Sequence, residues 1–117
     1  MAAAVVAALQ FGFGAHDAAE ASDVQSWQRS VAQHVGKMQV YPRAAMSREI
    51  EGRARVQVSI DRSGTVTGYD VVEGTGHDLL DAEVVRLMGR IDPLPAPPAA
   101  LGDDSLTFVL PLTWVLN

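Results

Sequence analysis

Two alternating runs joined by a four-residue turn constrain this chain more than any other feature. Residues 53–61 put Ala54, Val56, Val58 and Ile60 on one side and Arg53, Arg55, Gln57, Ser59 and Asp61 on the other. A period of two with one wet face is the pattern of a strand in an antiparallel sheet. The turn Asp61-Arg62-Ser63-Gly64 offers an aspartate at its first position and a glycine that can take positive φ. Residues 65–73 return along the first run. Their alternation slips, with Val66 in one register and Tyr69 and Val71 in the next, so a β-bulge is expected at Gly68.

The remaining elements follow from other periods. Residues 22–38 read as a helix, with Ser22 as N-cap, Gln25 completing a capping box, and Val24, Trp27, Val31, Val35 and Met38 on one face. Tyr41-Pro42 breaks it, and Pro42 can open a short second turn through Ala44, Ala45 and Met46. After the loop Gly74-Thr75-Gly76, Asp78 is the expected cap of a helix whose stripe is Leu80, Val84, Leu87, Met88 and Ile91. Burying five such side chains is worth a gross ~8–15 kcal/mol, enough to pin that helix across a sheet. Pro93 stops it, and four prolines between Asp92 and Ala99 predict a stiff, polyproline-like strap. Residues 105–116 form the last strand, with Leu106, Phe108, Leu110, Leu112, Trp114 and Leu116 on one face. Pro111 interrupts it. A proline has no N–H for a ladder, so the strand lies at an edge or bulges there. An edge with apolar side chains on both faces needs a cover: a helix, a second copy or a visiting peptide.

Composition narrows the function. The chain has 117 residues, enough for one domain, and a formal net charge of −5 with scattered basic residues. Nucleic-acid binding needs a basic patch, which is missing, so no nucleic-acid partner is expected. With no cysteine there is no disulfide framework or thiolate chemistry. His16, His34 and His77 lack ligand spacing, so no metal and no cofactor is expected. Asp78, Asp81 and Glu83 read as helix-start carboxylates. No catalytic set appears, and the chain reads as a non-enzyme.

The first 21 residues form a separate unit. Residues 2–9 are a small apolar run, too short for a membrane-spanning helix. With Ala19-Glu20-Ala21 at the spacing of a signal peptidase site, residues 1–21 read as a secretory signal peptide or, alternatively, a disordered tail. Residues 22–117 are then the domain, split into an N-terminal helix (22–40) and a core (41–117).

Within that core, Tyr41-Pro42, Gly52, Val56-x-Val58-x-Ile60-Asp61, Gly64-x-Val66, Leu80-Asp81, Pro93-x-Pro95 and Pro111-x-x-Trp114 stand in order. Together they resemble the C-terminal domain of TonB-family proteins. The resemblance implies an α+β fold: a three-stranded antiparallel sheet of order 2-1-3 packed against two helices, here with an extra N-terminal helix. It also implies a periplasmic location and recognition of a short extended segment, the TonB box, of an outer-membrane TonB-dependent transporter. That segment adds as a strand beside the last strand of the domain. Carried over by position, the partner-binding residues are Ser105, Leu106, Thr107, Phe108 and Val109, with Arg53 and Arg55 nearby. The family's membrane anchor and long Pro-rich spacer have no counterpart before Tyr41, so the resemblance implies recognition here and leaves a link to energy-dependent transport open. The alternative is a self-associating scaffold protein of the cell envelope, a homodimer through the last strand.

Overall fold

The computed structural model describes residues 3–7, 18–103 and 106–116. Four strands form one sheet: β1 (Ala3–Ala7), β2 (Gly52–Ile60), β3 (Val66–Glu73) and β4 (Thr107–Leu116). Three helices accompany them: α1 (Ala18–Met38), α2 (Arg43–Ser47) and α3 (Asp78–Arg90). The sheet order is β1-β4-β2-β3 and every neighbouring pair is antiparallel. The expected three-stranded 2-1-3 arrangement is present as β3-β2-β4. The addition is β1, from the stretch read as a secretory signal or tail. It adds to β4 because that strand offers main-chain groups on its far side.

The hairpin forms where the alternation placed it. Ala54, Val56, Val58 and Ile60 are buried, and Arg53, Arg55 and Gln57 are exposed. Register shifts fall between Ser59 and Ile60 and between Arg55 and Val56. The first leaves Thr67 unpaired beside Gly68, close to the expected bulge, and the second leaves Val72 unpaired. Two bulges twist β3 and make it a poor template for further strands. The Asp61 carboxylate holds the turn, accepting from Ser63 N–H (2.9 Å), Ser63 Oγ (2.6 Å) and Thr65 N–H (3.0 Å). These bonds, that from the Ser63 hydroxyl first, hold its carboxyl below the usual carboxylate range. Gly64 takes φ of 90°, and a Cβ there would lie 2.0 Å from the Leu94 carbonyl oxygen.

Helices α1 and α3 lie on one face of the sheet and share its core. The predicted stripe of α1 is buried at Val24, Trp27, Val31 and Val35, and that of α3 at Leu80, Val84, Leu87 and Met88, continued by Ile91. α1 starts four residues before the expected Ser22 cap. Its Trp27 packs edge-on against Phe108 (ring centroids 5.7 Å apart) and donates to the Pro95 carbonyl at 2.8 Å. His34 donates to the Ile91 carbonyl at 2.8 Å, tying α1 to the end of α3. Glu83, read as a helix-start carboxylate, is a buried one, 2% exposed. It accepts from Arg86, Arg90 and the Val40 N–H. Arg90 also donates to the Met38 carbonyl (3.1 Å), so Glu83 and Arg90 fix the end of α1. α2 begins after Pro42 as expected, and the Tyr41 hydroxyl donates to the Ile50 carbonyl across it.

The proline strap lies against the hairpin turn. The Leu94 N–H donates to the Gly64 carbonyl at 2.9 Å. Arg62 donates to the Asp103 carboxylate and to the Pro98 and Leu101 carbonyls. Leu94 and Leu101 are buried beneath it. Among the described residues, no helix is long and apolar enough to cross a membrane.

Candidate partner-binding edge

Each residue of a strand sends its side chain to one face and its main-chain groups to one flank, and both alternate together. In β4 the phase is fixed by the Ile60 N–H, which donates to the Leu106 carbonyl at 3.0 Å. The β2–β4 register then runs without a break from Ser59↔Thr107 to Gly52↔Trp114. Even-numbered residues of β4 therefore face β2 with their main chain and the core with their side chains. Odd-numbered residues face outward and toward the sheet's open surface.

That alternation sorts the sequence-derived candidates. Leu106 and Phe108 are buried at 7% and 3%, and both turn their main-chain groups to β2. Neither presents a donor or an acceptor to the outer flank. Thr107 and Val109 do face outward. Thr107 is exposed and shares a hydroxyl contact of 2.9 Å with Ser59. Ser105 lies outside the described residues. Arg53 and Arg55 are exposed on the open surface, directly opposite Thr113 and Pro111. A hollow of about 380 Å³ opens there, lined in part by Arg53, Arg55, Glu73, Pro111 and Thr113. Arg55 leans toward Glu73 at 3.9 Å, an exposed contact of little energetic weight.

Pro111 stands at an outward position, so its missing N–H costs the β2–β4 ladder nothing. That is why a proline fits here without a bulge in this register. The outer flank beyond it belongs to Thr113 and Val115, which the sequence reading passed over. β1 pairs there, from Ala7↔Leu112 to Ala3↔Leu116. Gln39 was also missed. Its side-chain amide donates to the Thr113 carbonyl at 3.1 Å. Its other end, Oε1, is buried with no hydrogen-bond partner. Val40 accepts from the Trp114 indole N–H at 3.0 Å, so the segment before Tyr41 is stitched to the end of β4. The odd-numbered set of β4 was visible in the alternation, but only the phase of its hydrogen bonds separates outer from inner main chain.

Among the described residues, no group of histidine and carboxylate side chains is placed to hold a metal ion. The site is the outer flank of β4, paired with β1 over residues 112–116, with two guanidinium groups on the open surface of the sheet.

Comparison with known proteins agrees with this architecture. Residues 37–116 match the family described as Gram-negative bacterial TonB protein C-terminal. Protein TonB of Pseudomonas putida is 27% identical over 101 residues, which cover 86% of this chain and 42% of that protein. The chain thus spans less than half the length of that relative. The solution structure of the Helicobacter pylori TonB C-terminal domain superposes with a TM-score of 0.65 at 20% identity, covering 89% of this chain and 98% of that one. The HasB C-terminal domain gives a TM-score of 0.50 at 30% identity, covering 73% and 66%.

Proposed function

This chain belongs to the TonB C-terminal domain family, and from that premise we propose that it is a periplasmic, non-enzymatic recognition domain. It takes an extended segment of an outer-membrane transporter as an added strand on the outer edge of β4. The observation that carries this reading is the edge itself. β4 pairs with β2 in unbroken register over eight residues, Thr107 to Trp114, and turns its odd-numbered main-chain groups outward. The opposite edge, β3, is bulged twice, and its Val66 N–H is already taken by Asp92 at 3.0 Å. Of β3 and β4, only β4 is a straight template, and β1 covers its outer flank over residues 112–116.

The chemistry is β-augmentation. Main-chain bonds supply most of the hold, and Arg53 and Arg55 bias the choice of side chains on the open surface. About four net bonds at ~0.5–1.5 kcal/mol each support a reversible grip, suited to a partner that must be released.

Amide NMR during titration with synthetic peptides from the periplasmic segment of such a transporter tests this. Perturbations are expected along β4, centred on its odd-numbered residues. Changes confined to residues 22–40 would refute the assignment. Arg53→Glu and Arg55→Glu should weaken binding of an acidic peptide several-fold while leaving the urea midpoint near that of the parent, since both side chains are solvated. The rival occupant is a second copy of the chain. Light scattering separates the two, because a dimer that persists on dilution would claim the edge for self-association.

A further inference from the structure

The outer edge of β4 already holds a strand, and it belongs to the same chain. β1 runs antiparallel to β4 and covers residues 112–116. By the phase derived above, Val6↔Thr113 and Ala4↔Val115 are the pairs that exchange hydrogen bonds. The next outward residue is Pro111, which has no N–H to offer. The described pairing ends one residue short of it, at Ala7↔Leu112. Pro111 therefore divides the edge into two halves, Thr107 with Val109 on one side and Thr113 with Val115 on the other.

We infer that the visiting segment docks on residues 112–116 and must displace Ala3–Ala7, an intramolecular competitor, to do so. This deepens the proposed recognition role and rests on it only for the visitor's identity. Three observations converge on this half of the edge. The first is β1, whose sequence AAVVA shows that the half accepts a short extended run of small and β-branched residues. The second is Gln39, whose Oε1 stays buried and unpaired beside the Thr113 carbonyl even with β1 in place. A buried acceptor without a donor is costly, so a visitor whose side chain brings a donor to it, such as a threonine or serine hydroxyl, has an advantage that the alanines and valines of β1 lack. The third is the charge on the open surface. Arg53 lies across Thr113 from the incoming strand, two strand spacings or about 9.6 Å away, within reach of two extended side chains. The visitor that fits is a short extended peptide, small or β-branched toward the helices, with an acidic side chain opposite Arg53.

The competition belongs to the chain that keeps its first seven residues. In a chain cut after Ala21, the site expected for a signal peptidase, the same half stands open.

Two measurements on the full chain decide the matter. In hydrogen exchange, the Thr113 and Val115 amides should be protected. The double variant Ala4→Pro/Val6→Pro removes the two N–H groups that face them and should release both. Leu112 and Trp114, bonded to β2, should stay protected in both proteins and report that the domain is folded. Equal exchange of Thr113 and Val115 in parent and variant would overturn the inference. The second measurement uses as probe a synthetic peptide of residues 2–8 carrying Val6→Glu, the position opposite Thr113 on the Arg53 side. It should bind the double variant about tenfold or more tighter than the parent, because the competent state is no longer shared with β1. The chain has no native cysteine, so Val6→Cys/Thr113→Cys can lock β1 in place at a directly opposed pair. Oxidation should abolish binding and reduction should restore it. Undiminished binding to the locked form, with shifts at Thr107 and Val109, would place the visitor on the other half and overturn the inference while leaving strand addition intact. If neither the probe nor a transporter peptide binds any form while exchange follows the expected pattern, β1 is confirmed as occupant, and the recognition role is what fails.

Discussion

Gly64 shows how much one residue can be read in advance and how much only packing reveals. The sequence called for a glycine because the turn needs positive φ, and the backbone there takes 90°. What no local pattern could show is the strap lying across it, with the Leu94 carbonyl where a Cβ would sit. Gly64→Ala therefore carries two penalties, left-handed strain and a backbone clash. It is expected to cost more than the ~1 kcal/mol of an ordinary glycine replacement, about 2–4 kcal/mol, read as a lower urea midpoint at unchanged slope. Asp61 in the same turn makes a pH prediction. Its carboxyl is held below its ordinary value, so its contribution is complete above about pH 4 and disappears as pH falls through the lowered value. Asp61→Asn should be less stable than the parent at neutral pH, and the gap should close in acid. A gap of constant size from pH 7 to pH 2 would show that the charged form does nothing special in the turn. Glu83 is the residue that the sequence misled on. A carboxylate near the start of a helix reads as a partner of the macrodipole, and only the fold shows that the end of α1 and Arg90 enclose it.

At the scale of elements, alternation and helical stripes were legible because each buries one face against a single partner layer. The hairpin, the two long helices and the core face of β4 follow from that. Element ends and strand neighbours were less legible. α1 begins at Ala18 because alanine and glutamate continue a helix as readily as the serine cap stops it. Pro111 points to an edge strand; the proline does mark the outward flank, but β1 pairs along residues 112–116 and makes β4 an inner strand there. The occupant of that flank was not readable, since nothing in a run of alanine and valine distinguishes a strand from the apolar part of a secretory signal. The docking of α1 is the most testable consequence at this scale. Trp27 is 5% exposed, stacked edge-on against Phe108 and bonded to the strap through its indole N–H. Trp27→Ala removes both contacts and the buried surface at once and should cost about 3–5 kcal/mol, a large share of the ~5–15 kcal/mol of a typical domain. Trp27→Phe should recover much of the packing but not the bond to Pro95. A loss under 1 kcal/mol for the alanine variant would mean that α1 rests on the sheet without being part of its core.

For the whole molecule, the boundary of the family match and the boundary of the core do not coincide. The match begins at residue 37. Val24, Trp27, Val31 and Val35 lie before it, yet they belong to the same buried cluster as Leu80, Leu110 and Trp114. A domain cut at residue 37 would lose the side chains that cover Phe108 and the strap, so α1 is an integral layer of this chain. The two tryptophans sit in different parts of that cluster. Trp27 is on α1 beneath the strap, and Trp114 is on β4 beneath the junction of α1 and α2, bonded to Val40. If the layers form one cooperative unit, Trp27→Phe and Trp114→Phe should each unfold in urea with coincident fluorescence and far-UV circular dichroism transitions, even though their midpoints differ from each other. A fluorescence transition of Trp27 that precedes loss of secondary structure would instead show α1 leaving as a separate unit. The segment 38–41, which links it to Thr113 and Trp114, would then be free to move with it. Such a result would make α1 a second element able to change the shape of the β4 edge, whereas coincident transitions leave that edge rigid and its affinity set by whatever lies along its outer flank.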